Sequence, residues 1–111
     1  MLEKKAKILE EEKWMPPASQ PSVVNIEMPS ADTEYFHMIP KGCKKFLLHS
    51  RDGTAFRLAF KTGKVAGSTP PYFTIKANTA YSEDNLNIIE DAWIYLACGT
   101  ANKIVEIVQW S

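Results

Sequence analysis

The chain has 111 residues, thirteen acidic and thirteen basic side chains, 45% hydrophobic residues and 11% aromatics. These are the proportions of one ordinary globular domain, able to bury roughly two-thirds of its unfolded surface. Balanced charge argues against nucleic acid as the main partner, because phosphate binding needs clustered Lys and Arg, and no run of apolar residues is long enough for a membrane helix.

Residues 1–14 contain strong helix formers and neither Gly nor Pro, which predicts a helix. Leu2, Ala6 and Leu9 fall at helical spacing with Ile8 beside them, a thin apolar stripe between charged faces. Pro16-Pro17 ends it. A helix of this length is marginal alone in water and needs a surface to pack on. A frayed surface helix is the plain reading. An arm that docks on a partner through Leu2, Ala6, Ile8, Leu9 and Trp14 is the functional one, because residues 16–22 read as a Pro-rich extended tether. The expected organisation is therefore a helix and tether over 1–22 and a folded domain over 23–111. The charged N-terminus has no apolar stretch of signal-peptide length, so synthesis and folding in a cytoplasm are expected.

Downstream, residues 23–28 and 35–39 alternate as short strands around a turn at 29–32. Residues 45–51 and 55–60 flank Asp52-Gly53, a hairpin signal, with Phe56, Leu58 and Phe60 expected inward and Ala55, Arg57 and Ala59 outward. Residues 61–71 are too rich in Gly, Pro and small residues to be regular and form the longest loop. A strand follows over 72–77, with Phe73 and Ile75 inward, then a short strand or bulge at 80–81. The last two runs, 92–98 and 103–110, flank the short break Gly99-Thr100-Ala101-Asn102 and predict a central antiparallel hairpin. On the first of them Ala92, Ile94, Leu96 and Cys98 share one face, and Trp93, Tyr95 and Ala97 the other. Both faces are apolar, so the strand is either sandwiched between layers or covered by a partner chain. Seven or eight short strands predict an all-β antiparallel sandwich, jelly-roll-like or a flattened barrel.

No catalytic constellation emerges. Thr62-Gly63-Lys64 lacks the spacing of a phosphate loop. His37, His49, Cys43 and Cys98 match no zinc pattern, and both cysteines are expected to be reduced and structural. Ser50, Ser68 and Ser82 lack a nucleophile-elbow context. Glu83, Asp84, Glu90 and Asp91 are oxygen donors of the kind calcium takes, yet solvated turn residues are the simpler reading. Lys41, Lys44 and Lys45 read as a solvated rim that discourages edge pairing. No cofactor, metal or enzymatic activity is expected. The aromatics leave one alternative: Trp93, Tyr95 and Trp110 are core or subunit interface in the ordinary reading, and a platform for stacking on sugar rings in the other.

One wider pattern runs through the last seventy or so residues. It comprises Ile39-Pro40 with Gly42, Phe46, the run from Arg57 to Ala66, Pro71-Tyr72 with Ile75-Lys76, and Ala80-Tyr81. It ends with the run from Ile94 to Cys98, Thr100-Ala101, and Val105-Glu106-Ile107 with Trp110. This order resembles small virion proteins of tailed bacteriophages encoded among the head and neck genes. The resemblance implies a β-sandwich building block that assembles on a capsid or at the head-tail junction as decoration, cement or fibre-attachment subunit. It also implies partners that are further copies of the chain and other virion proteins such as the major capsid protein, and a place in the virion.

Overall fold

The computed structural model describes residues 21–111. The helix expected over 1–14, with Leu2, Ala6, Ile8, Leu9 and Trp14, lies outside the described residues. The rest is all β: β1 Ser22–Met28, β2 Tyr35–Ile39, β3 Lys45–Ser50, β4 Phe56–Ala59, β5 Phe73–Ile75, β6 Ala80–Glu83, β7 Ala92–Ala97 and β8 Lys103–Trp110. Most are short alternating runs, with β1, β2, β5, β7 and β8 rich in β-branched or aromatic residues and β3 and β4 carrying Phe and Leu inward. Asp32, Gly42, Gly53, Gly63, Asn78 and Asn102 all sit at positive φ between or just beyond these strands, where Gly, Asn and Asp are the residues that tolerate it.

The strands form two antiparallel four-stranded sheets, ordered β1-β8-β3-β6 and β2-β7-β4-β5. Consecutive strands alternate between the sheets except β4 and β5, which pair directly. That is the winding of a jelly roll. The expected sandwich is therefore present, with a core made by the inward residues of both sheets. Met28, Ile39, Leu48, Leu58, Ile94, Leu96, Val105 and Ile107 are all buried in it.

Two expected hairpins are absent. β7 pairs with β2 and β4, while β8 pairs with β1 and β3, so residues 99–102 arch from one sheet to the other. The reason lies in the two apolar faces: Ile94 and Leu96 meet Val105 and Ile107 across the core, face to face rather than side by side. Asp52-Gly53 likewise carries the chain from β3 to the opposite sheet. There the Asp52 carboxylate accepts hydrogen bonds from Ser50 Oγ, Thr54 N and Thr54 Oγ1 and from Lys103 Nζ at the start of β8. Gly53 adopts φ +83°, and a Cβ there would collide with the Asn78 side chain.

Two inward expectations fail at strand ends. Phe56, Leu58 and Ile75 are buried, but Phe60 is 59% and Phe73 54% exposed. Phe60 lies beyond β4 at one end of the sandwich, and Phe73, on edge strand β5, lays its ring against Tyr81 at 5.6 Å. Conversely Ala59 points outward yet is buried, because Val65 of the long loop covers it together with Ala97 and Tyr95.

That loop is held down by side chains. Glu34 accepts hydrogen bonds from Thr62 Oγ1 (2.7 Å) and Gly63 N (2.8 Å). Arg57 donates through Nε to Val65 O (2.6 Å) and through Nη2 to Asp32 Oδ1 (2.8 Å). The second apolar face of β7 is thus covered at one end by the chain's own loop. The other end is bare.

Candidate interaction surfaces

The bare end lies on the outer face of the β2-β7-β4-β5 sheet. Register sets Phe36 opposite Tyr95 and Met38 opposite Trp93, and alternation turns all four away from the core. Phe36, Met38 and Trp93 are 61%, 37% and 44% exposed. The Phe36 and Trp93 rings meet edge to face, with centroids 5.6 Å apart and planes 62° from parallel, the geometry the ring quadrupoles favour. Tyr95 continues the patch but runs under Val65. An exposed aromatic cluster on a sheet is the kind of surface that partners cover.

The sequence had grouped Trp93, Tyr95 and Trp110. Trp93 and Tyr95 do share this face; Trp110 does not. It stands on β8 in the other sheet, opposite Lys45, whose ammonium lies 5.0 Å from the indole centroid. The three cannot form one platform. Phe36 and Met38 take the place of Trp110, and only the non-local pairing of β2 with β7 brings them there.

A second surface is an apolar mouth between the sheets at one end of the sandwich, a cavity of about 360 Å³ whose walls include Phe46, Phe60, Leu86, Ile88 and Ile94. Its polar features among the described residues are Tyr81 and Glu83, the Tyr81 hydroxyl donating to Glu83 Oε1 at 2.8 Å. Burial, and then the Glu83 carboxylate beside it, pushes the Tyr81 pKa up to about 12.

A third is a polar groove along His49, Arg51, Asp52 and Asn78. Here Glu106 lies between His49 Nε2 at 3.0 Å and Arg51 Nε at 2.9 Å, and Asp52 faces Lys103. The Lys103 ammonium, helped by the Thr54 and Ser50 donors, holds the Asp52 carboxyl well below the usual carboxylate range. These carboxylates are already matched by cations, so the groove presents alternating charge rather than a field of one sign.

The candidate ligands of the sequence are dispersed. His37 Nε2 pairs with Gln109 Oε1 at 3.0 Å between the sheets. The Cys43 and Cys98 thiols are free and buried, donating to Lys45 O and Ala55 O. Asp91 Oδ1 accepts from Lys41 N. Among the described residues, no three His, Cys, Asp or Glu side chains gather as a metal site would require.

No family model matches the sequence, and no curated protein is significantly similar to it. Among solved structures, the solution NMR structure of a de novo designed double-stranded β-helix is similar over 84% of this chain and all of its own, at 12% identity and a TM-score of 0.48. At that level nothing passes from it to this chain.

Proposed function

We propose that this chain is a non-enzymatic structural subunit of a bacteriophage virion, decorating or stabilising the capsid or the head-tail junction through its N-terminal arm. The observation that carries the reading is the exposed Phe36–Met38–Trp93 cluster on an otherwise self-sufficient jelly roll. The inner faces of the two sheets bury each other, whereas this outward apolar surface has no cover among the described residues and calls for a partner. The resemblance to small virion proteins of tailed phages supports the same reading. Its longest motif, from Arg57 to Ala66, spans β4 and the clamped loop that frames the cluster. The partners are further copies of the chain and other virion proteins such as the major capsid protein.

Removing residues 1–21 from the gene in an infected cell tests the attachment role. The expected result is a folded domain that is missing from purified particles; normal incorporation would sink the reading.

A second reading, a carbohydrate-binding module, is favoured by the exposure of Trp93 alone. Sugar stacking requires an accessible ring face, and the Phe36 ring packs against Trp93 with centroids 5.6 Å apart. In this reading Trp93→Ala removes glycan binding and leaves the fold intact, measured on a glycan array with circular dichroism as the control.

A further inference from the structure

We propose that the apolar mouth is the seat of the chain's own residues 1–14, their apolar stripe turned inward, their flanking charges along the rim and the remaining outer face left for the partner. The proposal rests on reading those residues as an amphipathic arm; given that, three observations place them at the mouth.

The first is chemical fit. The walls at Phe46, Phe60, Leu86 and Ile88 are apolar and open, and Ile89 beside them is 72% exposed. Leu2, Ala6, Ile8 and Leu9 offer a stripe of matching character.

The second is reach. The described chain starts one residue before β1, and Ser22 lies opposite Gln109, which in turn lies opposite the mouth residue Phe46. Chain exit and mouth therefore share one end of the sandwich. From β1 to β6 are three strand spacings, about 14 Å. The seven residues between Trp14 and Ser22 span up to about 24 Å, and a fourteen-residue helix covers about 21 Å. A tether this short also gives its own chain a high effective concentration at the seat.

The third is the order of charge. Leaving β1, a chain laid across this end passes Lys44 and Lys45 at the start of β3 first, then Glu83 and Asp84 at the end of β6. Read back from the tether, the arm carries Lys13, then the acidic run Glu12, Glu11 and Glu10, then the basic Lys7, Lys5 and Lys4, and last Glu3. Its two main runs therefore carry the opposite signs in the same order. Docked this way, the acidic run meets Lys44 and Lys45 and the basic run meets Glu83 and Asp84; reversed, each run faces like charge.

Hydrogen exchange of the full chain in solution, without any particle, tests the seat apart from the virion reading. Amides of residues 6–14, which have intrahelical acceptors, are expected to exchange about tenfold or more slower than an unprotected peptide. Leu9→Asp on the arm and Phe60→Asp on the mouth should each abolish that protection while leaving β7 and β8 protected. Phe60 is exposed enough for the fold to accept the change. Unprotected amides in the unmodified chain, or protection that survives Phe60→Asp, would overturn the proposal. A Leu9→Cys, Ile89→Cys double variant decides whose arm it is: a disulfide within a chain of monomer mass supports the seat, and one that links two chains overturns it in favour of a second copy.

Discussion

Arg57 joins three segments that are distant in sequence. Its guanidinium reaches the β1–β2 connection at Asp32 and the long loop at Val65 while its backbone sits in β4. With the side chain only 16% exposed, these bonds are partly shielded from water. Arg57→Met keeps much of the stem but strands the Val65 carbonyl, a loss of roughly 1–3 kcal/mol, to be read from the urea midpoint together with faster proteolysis within residues 61–71. Gly53→Ala should cost roughly 1–2 kcal/mol, because the new Cβ meets both the positive φ and Asn78.

Two titrations frame the pH behaviour. The Asp52 carboxyl ionises at lower pH in the folded state than its ordinary 3.8, so in acid the unfolded chain binds the extra proton. The stabilisation is complete above the ordinary value and is lost as pH falls toward the folded one. Asp52→Asn should flatten the acid limb of the stability curve. Tyr81 has the opposite sign: its pKa rises from 10.0 to about 12, so the folded state holds the proton longer and stability falls as pH rises between those values. Tyr81→Phe should remove that alkaline slope in thermal melts at pH 9 to 12.

At the scale of the element, β7 carries both structure and surface. Leu96 is fully buried on its inner face and Trp93 nearly half exposed on its outer one. Leu96→Ala should cost about 2–5 kcal/mol. Trp93→Ala should cost less, roughly 1–3 kcal/mol, since nearly half of the side chain is already in water, yet it should weaken partner binding. Chemical denaturation and particle incorporation, measured on both variants, separate these roles. The strands themselves were legible because alternation is local: the two-faced pattern of 92–98 and the buried Phe56 and Leu58 follow from period two alone. The partners of those strands were not. A β-arch and a β-hairpin use the same residues, a short polar break with Gly, Asn or Asp at positive φ, so residues 99–102 and Asp52-Gly53 specify that the chain turns without specifying into which sheet.

For the whole molecule, the winding brings the first strand against the last and places nearly every consecutive pair in opposite sheets. Contacts of such long sequence separation require loop closure before they stabilise anything. Refolding by denaturant dilution is therefore expected in ~milliseconds to seconds; microsecond refolding in a stopped-flow or temperature-jump experiment would contradict the topology. The same winding leaves the sandwich with two outward faces and an open apolar end, and it sets the clamped loop over half of one face.

The sequence by itself determined the β class, the approximate strand limits, the inward residues of the central strands and the absence of a recognisable catalytic pattern. All of these follow from side-chain alternation and from residue types that are fixed locally. Only the tertiary structure decided which strands are neighbours, and with that the composition of the exposed surface. Phe36 and Met38 join Trp93 because β2 pairs with β7, Trp110 leaves the group because β8 belongs to the other sheet, and Phe60 opens to solvent because it stands at a strand's end. Such groupings depend on contacts between segments tens of residues apart, and no local pattern encodes them.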